Sequence, residues 1–180
     1  MPICENLIVE ETLFDRFPLK SAFDNRRWWI REQLAQIAQE GVISIAEEIV
    51  KDLAFRAPLN ALELYLDDAV LHDGRWECSD DAGGRLETFV YEVPWVGDRL
   101  WDLYPRAIEY PPPGAIVGYS LLIALAGTDR EAVFREADSL MNTIKGILRD
   151  QRAQIERFNR GLAAYVRAQL PRSNITFAYE

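Results

Sequence analysis

The chain has 180 residues, of which 49% are hydrophobic and 11% aromatic, enough apolar surface for one sizeable core and one domain. A formal charge of -9 and a pI near 4.7 argue against general attraction to phosphate backbones, which needs Lys and Arg massed on one face, so nucleic acid is not an expected partner. Cys4 and Cys78 make no metal-ligand spacing, no signal-peptide pattern opens the chain, and no apolar run approaches the roughly 18 residues of a membrane span. The expectation is a cytoplasmic protein without cofactor, metal or membrane contact.

Ser21 to Leu53 carries a helical period, with Ile30, Leu34 and Ile37 on one face and a break near Gly41. Ser44 and Glu47 form a capping box that opens a second helix, and Pro58 stops it, so the helical N-terminal region spans 20–54. From Leu62 the period changes to two. Leu62, Leu64 and Leu66 alternate with Glu63, Tyr65 and Asp67, which predicts a half-buried strand. Arg75 to Cys78 and Arg85 to Val93 read as a hairpin around Asp80, Asp81 and Gly83-Gly84. Prolines rule out regular structure over most of the next stretch, and Ile116 to Leu125 then predicts a central strand covered on both faces. These segments make a β-rich region over 60–126. Beyond Pro171, the alternation of Ile175, Phe177 and Tyr179 resembles a further strand.

A long helix is predicted over 128–170, opened by a Thr128 and Glu131 capping box and closed by Pro171. Along it, Phe134, Ala137, Met141, Ile144, Leu148, Gln151, Ile155, Phe158, Leu162, Tyr165 and Gln169 recur in steps of three and four, a heptad seam. Such a helix would be about 60 Å long, against a radius of gyration of about 16 Å for a compact domain of this size. The g positions are apolar in the first half (Val133, Leu140, Ile147) and not in the second (Gln154, Gly161, Ala168). The first half is therefore expected to cover the sheet. The second is expected to project as a coiled-coil interface through Gln151, Ile155, Phe158, Leu162 and Tyr165, with Gln151 either setting register or simply exposed to solvent and Gly161 permitting close approach. The partner would be a second copy or another protein. The competing arrangement folds the whole helix back onto its own domain. Arg149, Arg152, Arg157, Arg160 and Arg167 read as a solvated outer face.

Chemistry is sparsely marked. His72 is the sole histidine and lies beside Asp67, Asp68 and Asp73, a set that could serve a small metal-dependent hydrolase or nuclease, although Asp73-Gly74 reads as a turn. No nucleotide-binding, zinc-protease or nucleophile-elbow motif occurs. Trp95, Trp101, Tyr104 and Tyr110 sit in the proline-rich stretch, where they either pin the loop over the sheet or make a recognition surface. Of the adjacent Trp28 and Trp29, one is expected to be buried.

The order of Pro58-Leu59, then Val93-Pro94-Trp95-Val96-Gly97-Asp98, then Pro111 to Pro113, then Phe158-Asn159 resembles an N-terminal region of uncharacterised bacterial proteins. In that group the region precedes a nuclease-like or TIR-like effector domain in presumed phage-defence proteins. The resemblance implies a sensing or assembly module and carries no catalytic residues. A chain that stops at Glu180 departs from the group's pattern, which implies an effector removed or separately encoded. The expectation is an α+β domain: two N-terminal helices, a mainly antiparallel sheet of about four strands, and a long helix that packs on the sheet and extends beyond it.

Overall fold

The computed structural model describes residues 12–40, 46–79, 85–127 and 130–170. Its architecture is α+β, with three helices and a mostly antiparallel sheet. Helices α1 (Lys20–Glu40) and α2 (Ala46–Arg56) stand where the 3.6-residue period places them. The expected features at Gly41, Ser44, Asp80 to Gly84, Thr128, and Pro171 through Tyr179 lie outside the described residues.

The sheet is built around β4 (Arg85–Val96), whose Phe89, Val93 and Trp95 are buried at alternate positions. One edge of β4 pairs with β3 (Val70–Ser79) and then with β2 (Glu63–Leu64); the other pairs with β7 (Ser120–Gly127), which carries β6 (Ala115–Val117) outside it. Three expectations are corrected here. The strand from Leu62 ends after Leu64, because Leu66–Asp68 winds into a 3₁₀ turn and leaves Leu66 exposed. Asp73-Gly74 is not a turn: it lies within β3, opposite Phe89 and Thr88, and the irregularity falls between Gly74 and Cys78. Ile116 to Leu125 is a hairpin rather than one strand, turning at Gly118 with φ +60°. Leu121, Ile123 and Leu125 of β7 are buried while Leu122 and Ala124 are half-buried, so only one face is fully covered.

A separate parallel pair joins β1 (Phe17–Pro18) to β5 (Leu103–Tyr104). The backbone of Phe14 donates to Trp101 and that of Leu19 to Tyr104, which fastens the start of the described chain to the irregular stretch after β4. Trp95 and Trp101 are buried there, edge to face at 5.7 Å, in the core shared with Phe14 and Val93.

Helix α3 (Arg130–Gln169) has 40 residues and is about 60 Å long. Its second half does not project. Helices α1 and α2 lie against it, and Ile30, Leu34, Val50, Leu53 and Ala57 form a second core with Leu162 and Val166. Eight of the nine buried residues described in α3, all but Ile147, fall into pairs: Val133 with Gln151, Ala137 with Ile155, Ile144 with Leu162, Leu148 with Val166. Members of each pair are eighteen residues apart, five turns at 3.6 residues per turn. A straight helix holds one face on that spacing, and a heptad seam drifts from it by about 20° per repeat. The g positions therefore leave the buried face: Ile147 is buried, whereas Gly161 and Ala168 are exposed. Val166, outside the heptad a/d set, takes over.

Candidate functional site

Where α1 meets α3 the packing leaves an open groove of about 420 Å³. Its walls are Phe23 and Arg27 from α1 and Gln154, Arg157, Phe158, Leu162 and Tyr165 from α3. Phe23 and Phe158 stack with centroids 4.6 Å apart and planes 10° from parallel. The Arg27 guanidinium lies 5.8 Å from the Phe158 ring and 5.7 Å from the Tyr165 ring, within cation–π range of both. Arg27 also meets Asp24 at 3.4 Å on the exposed side, whereas Arg157 has no ion pair among the described residues. The surface is thus aromatic at its base and cationic at its rim, on a chain of net charge -9.

The five residues expected at an interface divide between core and groove. Ile155 and Leu162 are 1% and 2% exposed, covered by this chain's own side chains, and are not available to a partner. Gln151 is fully buried too. Its Nε2 donates to the carbonyls of Leu100 (3.2 Å) and Leu103 (3.1 Å), and the neighbouring Gln154 donates to Pro105 (2.9 Å). Gln151 therefore anchors the irregular stretch after β4 instead of setting a coiled-coil register. Phe158 and Tyr165 remain half-buried and line the groove. The sequence reading missed Phe23 and Arg27, although they extend the Ile30 and Leu34 stripe back at helical spacing. Gly161 does not serve close helix approach, since a Cβ built there meets no atom within 4 Å.

Three of the four motif segments behind the resemblance meet at one junction, and Pro111 to Pro113 make a separate contact. Asn159 accepts from the Leu59 backbone N–H (3.0 Å) and donates to the Leu59 carbonyl (2.8 Å), tying α3 to the segment after α2. Asp98 accepts from the Asn60 backbone at 3.0 Å and receives Arg26 from α1 at 3.9 Å. The Pro112 carbonyl accepts from Leu13. These contacts hold the helices against the sheet. They place no reactive group.

No contact among the described residues joins Asp67 or Asp68 to His72. Asp67 and Asp68 are exposed on the 3₁₀ turn, Asp73 follows His72 on β3, and His72 Nε2 lies 2.8 Å from Glu92. Among the described residues no group of three or more His, Cys, Asp or Glu could hold a metal ion. Glu92 also accepts from Ser120 Oγ at 2.6 Å. The carboxylate thus separates the hydroxyl from the imidazole, which is not the order that activates a serine. Hydrogen bonds from Ser120 and then from His72 hold the Glu92 carboxyl below the ordinary glutamate value. A group lowered in the folded state contributes stability above its unfolded value and loses it as pH falls through the folded one. Urea titrations should therefore show wild type more stable than Glu92→Gln at neutral pH, the gap closing below about pH 4. A gap constant with pH would contradict this role.

The aromatic loop divides likewise. Trp95 and Trp101 are buried and cannot form a recognition surface, Tyr104 is half-buried on β5, and only Tyr110 stands free at 80% exposed. Trp28 is exposed, and Trp29 is half-buried beneath Arg56 at 5.4 Å, so neither is fully buried. The basic strip is split: Arg152 approaches Glu63 at 3.6 Å, and Arg167 donates to both oxygens of Glu47, lowering that carboxyl. No helix of the described residues is long and apolar enough to cross a membrane. Comparison with protein-family models, curated proteins and solved structures finds no match to this chain.

Proposed function

We propose that this chain is a non-catalytic protein-interaction module of a bacterial cytoplasmic assembly or sensing system, engaging its partner through the α1–α3 groove. One observation carries the reading. After α1 and α2 have covered the second half of α3, Phe158 and Tyr165 still line an open surface, under the Arg27 guanidinium and beside Arg157, which has no ion pair among the described residues. Aromatic and arginine side chains are the residues most enriched at binding hot spots. Defence against phage is the setting that the motif resemblance supports, with catalysis left to a separate effector.

The test is site-specific photocross-linking in cells. With benzoylphenylalanine at Tyr165 the chain should give one discrete adduct, with a second copy or another protein. With the same group at the exposed Val117 of the sheet edge it should give none. Adducts from both positions, or from neither, would overturn the reading.

A further inference from the structure

We infer that the occupant of the α1–α3 groove is an acidic amphipathic segment of a partner protein, an inference that rests on the interaction-module reading. From Gln154 to Tyr165 the groove runs about 16 Å along α3, which matches two to three turns of a docked helix with anchors at i, i+3, i+4 and i+7. The groove is open, whereas a small-molecule site encloses most of its ligand. The stacked Phe23–Phe158 pair and Tyr165 offer an apolar base for those anchors.

Charge supplies the rest. Arg27 and Arg157 line the groove and no Asp or Glu does, although the whole chain carries 29 acidic and 20 basic residues. An acidic segment is repelled by most of this surface and attracted here, which gives both register and selectivity. Arg27 is held over two rings with the Asp24 carboxylate 3.4 Å away on its exposed side, so Arg157, which has no ion pair among the described residues, is the cation left for an arriving carboxylate. Gly161 fits the same occupant. Glycine is among the costliest residues inside a helix, and at this position no described residue requires it, because an added Cβ would meet nothing within 4 Å. Its missing side chain leaves room in the groove.

Fluorescence anisotropy on the full chain tests this with two short labelled helical probes. Both carry Leu and Phe anchors at i, i+3, i+4 and i+7; one is flanked by Glu, the other by Lys. The Glu probe should bind at least about tenfold more tightly than the Lys probe, and Arg157→Glu should weaken it by about tenfold. Gly161→Leu should abolish binding of the Glu probe while melting at or above the wild-type temperature. Equal binding of the two probes, no binding of the Glu probe, or full binding by Gly161→Leu would each overturn the inference. A Tyr165 adduct whose captured segment is not acidic overturns the acidic occupant alone; no adduct at all removes the interaction-module reading with it.

Discussion

Gln151→Glu is expected to destabilise the chain by about 3–5 kcal/mol, most or all of the stability of a marginal domain. Gln151 is fully buried, and its amide N–H groups face the carbonyls of Leu100 and Leu103. The substitution places a carboxylate against two carbonyl oxygens, at a position shut off from bulk solvent. The amide oxygen of Gln151 has no hydrogen-bond partner among the described residues, so the introduced charge finds no donor there either. Burial raises the pKa of the new carboxyl, and its protonated form can donate to one carbonyl. Stability relative to wild type should therefore recover as pH falls from 7 towards about 5. Gln151→Met, which removes the donors without adding charge, should cost about 1–3 kcal/mol. Urea denaturation of the two variants across that pH range is the measurement. A loss below about 1 kcal/mol for Gln151→Glu would show that the stretch after β4 is not anchored through this residue.

Gly97→Ala is expected to cost about 2–4 kcal/mol, more than alanine usually costs at a glycine. Two effects add. Gly97 has φ +113°, which a side chain disfavours, and a Cβ there would lie 2.4 Å from the Ala61 carbonyl oxygen. That carbonyl is backbone, in the segment held by the Asn159 and Asp98 hydrogen bonds, so it cannot yield without loosening the junction. Gly118→Ala is the control: φ is +60° but the surrounding space is open, so only the conformational cost of about 1 kcal/mol applies. Equal losses for the two substitutions would refute the close approach at Gly97.

The same junction shows how far the sequence could be read. Val93 through Asp98 was recognisable as a motif, but its physical content is Gly97 against Ala61 and Asp98 on Asn60, contacts between segments far apart in the chain. The acidic set around His72 shows the converse. Adjacency along the chain suggested a cluster, but Asp67 and Asp68 stand on the 3₁₀ turn before β3, and the His72 imidazole meets Glu92 instead. In the candidate site, Phe158 and Tyr165 were found through the seam. Arg27 was not, because a charged residue next to an apolar stripe usually marks its solvated flank.

By itself the sequence determined the helices and most of the sheet, since spacing of three and four, or of two, decides which side chains share a face before any partner is chosen. Burial of α3 was decided only by tertiary structure. Its seam could be covered by another chain or by this one, and the heptad pattern is compatible with either. The segment after α2 turns back over α3 and is fixed there by Asn159 on Leu59, which brings α1 and α2 down onto Leu162 and Val166. Once covered from within, α3 follows the straight 3.6-residue period of its own core, and a groove stays open where α1 does not close over it.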